Sequence, residues 1–135
     1  MVYEQEPEQL IEAAEQCVTA TVSGLADIVV AENGQLGFKT DRSYARQGLA
    51  HVWRILNFHG SPVRIELRFT GAYPLSWPPN PPAVTVDASP KPGRVAKHGT
   101  LVGIVKRAAE LGEHRYEVSI NGTVYDPELV IVEAI

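Results

Sequence analysis

Hydrophobic positions along this chain keep two different periods. Near the start, Leu10, Ile11, Ala14, Cys17 and Val18, followed by Thr21, fall on one helical face, while Glu8, Glu12, Glu15 and Gln16 lie elsewhere. Pro7 suits a first helical residue, and Glu4, Glu6 and Glu8 suit the positive end of a helix dipole. The pattern therefore predicts an N-terminal amphipathic helix, with Gly24 as its natural stop. The β-branched residues among 18–22 also fit a strand, which allows the helix to end as early as Gln16. Either way its apolar face needs a partner, which a sandwich face or a second copy of the chain could supply.

Beyond Gly24 the period becomes extended. Residues 28–31 form a short apolar run closed by Asn33-Gly34, and 36–38 follow as a second strand, which predicts a hairpin. The clearest strands are 51–57 and 63–69. In the first, Val52, Arg54 and Leu56 oppose His51, Trp53 and Ile55; in the second, Val63, Ile65, Leu67 and Phe69 alternate with Arg64, Glu66 and Arg68, giving one dry face and one wet. Residues 71–99 hold prolines at 74, 78, 79, 81, 82, 90 and 92. Proline cannot donate to a sheet ladder, so this stretch reads as loop with at most a short edge strand at 84–86. Strand pattern resumes at 100–105, 115–120 and, after the Asn121-Gly122 turn, 123–132, with room for one helical turn at 106–111. Seven or eight short strands with turn-linked pairs predict a mainly β, antiparallel Greek-key sandwich over residues 25–135, preceded by an acidic helical extension over 1–24.

Composition narrows the setting. At 135 residues the chain suits one domain with an adequate core, and its single cysteine, Cys17, cannot close an internal disulfide. Residues 1–8 lack the basic flank and apolar run of a secretory signal, and no stretch is apolar enough to span a bilayer, so a cytoplasmic, soluble protein without membrane contact is expected. The net charge of −4 is unevenly spread: residues 1–38 hold seven acids and no Lys or Arg. Lys91, Arg94, Lys97, Lys106 and Arg107 form an acid-free basic stretch between Asp87 and Glu110. It suits an anionic partner or a solvated counterweight to the acidic start. Without interleaved aromatics it lacks the stacking platform of a single-strand binder, so nucleic acid is disfavoured.

The run Val52-Trp53-Arg54-Ile55-Leu56-Asn57, a turn with Gly60 and Pro62, and Val63-Arg64-Ile65-Glu66-Leu67 resemble the strand-turn-strand leading into the first copper histidine of cupredoxins. The ending, residues 112–118 and 126–132, is similar to their final hairpin. The resemblance covers about residues 37–132 and implies a cupredoxin-like scaffold. Blue copper requires two imidazoles and a thiolate, with a weak axial thioether. Val63 stands where the resemblance places the first histidine, and residues 116–132 hold no Cys, His or Met. The expectation is a scaffold without the copper site, without electron transfer and without another cofactor.

His51, His59, His98 and His114 show no H-x-x-H or H-E-x-x-H spacing; only His59 and His114 are expected near each other as a non-standard metal pair. There is no G-x-S-x-G elbow, no phosphate loop and no cysteine in a basic setting, which argues against an enzyme. What remains is surface. Tyr73 and Trp77, in a stiff proline-rich segment, read either as caps on the core or as interface anchors, and Lys97, Lys106 and Arg107 complete the candidate partner-binding set. The sequence thus points to a non-catalytic interaction module, such as a bacterial accessory protein, whose partner is another protein or a second copy of itself. Metal binding through the histidines and anion or nucleic-acid binding through residues 91–107 are the alternatives.

Overall fold

The computed structural model describes residues 22–39, 42–77 and 82–134, so all but the last three residues of the helical extension expected over 1–24 lie outside the described residues. Eleven strands are present among them: β1 (Val22–Val30), β2 (Leu36–Lys39), β3 (Arg42–Arg46), β4 (Ala50–Asn57), β5 (Val63–Phe69), β6 (Leu75–Ser76), β7 (Ala83–Val86), β8 (Lys97–Val105), β9 (Gly112–Ile120), β10 (Thr123–Val124) and β11 (Glu128–Glu133). They form two sheets. The first runs β2-β1-β4-β8-β6; the second runs β3-β11-β9-β5-β7, with β10 paired to β9. The protein is mainly β, as its periodicity predicts.

Two sheets stack because each strand has an apolar side to bury. Ala26, Ile28, Trp53, Ile55 and Leu101 on the first meet Ile65, Leu67, Tyr116, Val118 and Val130 on the second. Alternation is cleanest in β5, whose even-numbered side carries Arg64, Glu66 and Arg68 outward. There Glu66 accepts from Arg64 at 2.8 Å and from Arg68 at 3.2 Å, and these bonds, the Arg64 one foremost, hold its carboxyl below the usual glutamate range. An ion pair of 2.6 Å between Lys39 of β2 and the buried Glu128 of β11 ties the two sheets together.

Turn chemistry follows the sequence closely at two places. Ala31 and Gln35 close the first hairpin around Asn33-Gly34, and the Asn33 side chain accepts from the Gln35 amide at 3.1 Å. Asn121 and Gly122 both take positive φ, 50° and 88°, as a type I′ hairpin demands. Among its described residues, the proline-rich stretch contributes the edge strands β6 and β7 and the first residues of β8.

Four expectations are corrected. Gly24 does not end a helix but sits inside β1, so the sheet begins before residue 25. A Cβ there would collide with the Tyr44 carbonyl, and glycine serves a close backbone approach. The sandwich is not wholly antiparallel: β1 pairs with β4, and β11 with β3, in parallel. β3 was not legible because its buried positions are Ser43 and Ala45, small residues between Arg42, Tyr44 and Arg46. Residues 106–111 make a turn closed from the Ala109 amide to the Lys106 carbonyl rather than a helical turn, and residues 123–132 split into β10 and β11.

Candidate functional site

One end of the sandwich gathers most of the chemistry singled out from sequence. The chain leaves β5 at Phe69, turns through Gly71 at φ 77°, and returns as β6, which pairs Leu75 with Val105 and Ser76 with Ile104. The Lys106 amide donates to the Pro74 carbonyl at 2.9 Å and extends that pairing by one rung. Gln47 reaches across to donate to the Ala109 carbonyl at 2.7 Å, and Gly48 donates to Val105 at 2.8 Å. Backbone bonds therefore pin both loops.

Trp77 enters because position 103 is glycine. A Cβ on Gly103 would stand 2.9 Å from a Leu75 methyl and 3.0 Å from the Trp77 ring. The indole lies 5.1 Å from Trp53 and 6.4 Å from Phe69, and Phe69 in turn lies 5.4 Å from Tyr73 and 5.1 Å from Tyr116. Trp53 donates its Nε1 proton to the Tyr116 hydroxyl at 3.1 Å. Burial, opposed in part by that bond, pushes the Tyr116 hydroxyl up to about 12. The Trp77 Nε1 donor is buried without a hydrogen-bond partner among the described residues. Tyr73 and Trp77 are each half-buried, packed on the core with one side open.

That open side borders a groove of about 710 Å³ lined by Tyr73, Pro74, Lys106, Glu110, His114 and Arg115, among others. Tyr73 and Lys106 also line a smaller depression of about 240 Å³, where they are joined by Leu75, Ser76 and Trp77. The His114 Nε2 donates to the Glu110 carbonyl at 2.7 Å, which orients the ring at the groove wall. The surface combines rigid aromatic and proline faces with separated charges of both signs. Such a surface can hold an extended segment by stacking and by hydrogen bonds at its rim.

Of the residues expected from sequence, Tyr73, Trp77 and Lys106 meet here. Arg107 is exposed and lies over Gly48, with its guanidinium carbon 3.5 Å from where a Cβ would be. Lys97 does not join them: it opens β8 opposite Asn57, about 30 Å of strand away from Lys106. The bases of 91–107 are thus divided between the two ends of the sandwich rather than forming one strip. The sequence offered no signal for Glu110 or Arg115 and marked His114 only as a metal candidate; their place at the groove comes from the pairing that brings residues 106–115 beside Pro74.

The histidines separate as well. His59 precedes β5, where its Nδ1 donates to the Glu32 carbonyl at 2.8 Å, whereas His114 lies next to the far end of β5, two residues before Tyr116, the partner of Phe69. The length of β5, about 20 Å, keeps the expected pair apart. His51 is buried on the inner side of β4, 4.1 Å from Trp53, with Nε2 3.0 Å from the Ser43 hydroxyl. Among the described residues no group of three or more His, Cys, Asp or Glu could hold a metal ion. The same residues contain no helix long and apolar enough to cross a membrane.

No protein-family model and no curated protein matches the chain. Among solved structures it is similar to a multi-copper oxidase from Pediococcus acidilactici, with 9% identity and a TM-score of 0.36 over 82% of this chain. The match spans 25% of the oxidase, so this chain corresponds to about a quarter of that protein.

Proposed function

We propose that this protein is a non-catalytic recognition module on a copper-free, cupredoxin-like scaffold, and that it docks an extended segment of a protein partner at the Tyr73, Trp77 and Lys106 end. The observation that carries this reading is the placement of two rigid aromatics and a lysine beside a groove whose walls are pinned by backbone bonds. Side chains that are already ordered lose little entropy on contact, which favours them as anchors. Val63 adds support for the copper-free reading: it is wholly buried among Ile65, Val86 and Ile120 as a core residue.

The test is partner capture from the native host followed by direct titration. Tyr73→Ser and Lys106→Glu should each weaken the captured partner's Kd at least tenfold, while Val124→Ser, on an exposed strand of the other sheet, should leave it unchanged. Unchanged affinity in both groove variants would sink the proposal. Light scattering of the isolated protein tells whether the partner is a second copy.

A further inference from the structure

Two arginines face each other across one rung of the second sheet. Register sets Arg42 of β3 and Arg115 of β9 on either side of Leu129 of β11, so the three side chains share the outer face, with the arginine Cα atoms about 10 Å apart. Two ladders fix that spacing. A cleft of about 330 Å³ opens there, lined by Arg42, Arg115, Pro127, Glu128 and Leu129. Among the described residues neither arginine makes an ion pair or a side-chain hydrogen bond, whereas Arg64 and Arg68 on the same face share Glu66. The nearby acids do not answer them. Glu128, in the cleft wall, has its carboxylate 2.6 Å from the Lys39 ammonium, and Glu113 stands on the next outward rung, opposite Ile131. Glu117 lies opposite Arg68.

We propose that Arg42 and Arg115 clamp a small organic dianion, a dicarboxylate or a phosphate monoester, in this cleft between β3, β11 and β9. A guanidinium presents a planar fork that matches carboxylate or phosphate oxygens in pairs, and forks on opposite walls match two negative charges better than one. Size limits the rest of the molecule. At about 30 Å³ for each water-sized group, the cleft holds about ten non-hydrogen atoms, the bulk of a short dicarboxylate or a phosphorylated ring and well short of a nucleotide. Leu129 and Pro127 supply an apolar floor for the carbon skeleton, while the charged groups fix its orientation. Arg115 also borders the larger groove, but this site needs no docked segment and goes beyond the reading given above.

Nuclear magnetic resonance of the nitrogen-labelled full-length protein tests this at low ionic strength, where screening is weak, with succinate, acetate, phenyl phosphate and inorganic phosphate as probes. The Nε–H signals of Arg42 and Arg115 and the Leu129 amide should shift saturably. Succinate should bind about tenfold tighter than acetate if the ligand is a dicarboxylate, and phenyl phosphate about tenfold tighter than inorganic phosphate if it is a phosphate monoester. Arg42→Gln and Arg115→Gln should each weaken the tighter probe about tenfold, whereas Arg64→Gln should not. Both arginines are exposed, so an otherwise unchanged amide spectrum is expected in each variant. Shifts that stay linear with concentration, or that appear equally at Arg64, would reduce the effect to ionic strength and overturn the proposal. So would tight binding that survives either arginine variant, or organic probes no tighter than acetate and inorganic phosphate. The probes are free small molecules, so failure here leaves the docking reading standing, and failure of that reading leaves this site standing.

Discussion

Acidification from pH 7 to pH 5 should destabilise this fold through one imidazole. His51 is 0% exposed on the inner side of β4, stacked 4.1 Å from Trp53, and its Nδ1 is buried without a hydrogen-bond partner. Burial lowers its pKa to about 3, outweighing the influence of the Val52 backbone, which acts in the opposite direction. In the unfolded chain a histidine titrates near 6.5. Between about 3 and 6.5 the unfolded state therefore holds a proton that the folded state refuses, so stability rises with pH through that window and falls as pH drops. Integrating from pH 7 to pH 5 gives a loss of about 1.9 kcal/mol, and a folded pKa one unit higher changes this by only about 0.1 kcal/mol. Urea unfolding followed by tryptophan fluorescence at the two pH values measures it, in the wild type and in His51→Phe. Other groups titrate in both proteins, so their contribution cancels in the comparison. The wild type should lose about 1.9 kcal/mol more than the variant. Equal losses, within about 0.5 kcal/mol, would refute the claim that His51 is held neutral by burial.

Two further substitutions probe the aromatic cluster that supports the groove. Tyr116→Phe removes the acceptor for the Trp53 indole and leaves a buried N–H unpaired, so equilibrium unfolding should show a loss of about 1–3 kcal/mol with little change in the native far-UV spectrum. Gly103→Val places methyl groups where Leu75 and Trp77 now sit; fluorescence should shift to the red as Trp77 is displaced, with a cost of about 1–3 kcal/mol in stability. An unshifted spectrum would show that the indole does not depend on that glycine.

Much of the architecture was legible because burial imposes a period. β4 and β5 match the residues expected from alternation almost end to end, and both Asn-Gly turns lie where the dipeptides mark them. β3 was not legible: its inward positions are Ser43 and Ala45, which carry no hydrophobic signal, and its partner β11 lies at the other end of the chain. Nor does any local pattern tell a parallel neighbour from an antiparallel one, so the β1–β4 and β3–β11 pairings could not be read. At the candidate site, Tyr73, Trp77 and Lys106 stood out by type. The groove beside them did not, since it exists only once the Pro74 carbonyl meets the Lys106 amide. The same limit governed His59 and His114, whose separation depends on which end of β5 each adjoins.

The seating of β11 between β3 and β9 bears on how the protein is made. Of the described strands β11 is the last to be synthesised, yet it supplies the only ladder neighbour that β3 has among them. A nascent chain that has reached Ile120 therefore presents β9 with one edge open and β3 without the strand it is laddered to in the finished sheet. Long-range pairings of this kind close slowly, and unpaired edges invite association between chains while they wait. Yield on expression should consequently respond to the rate of translation and to chaperone supply more strongly than the finished fold's stability would suggest.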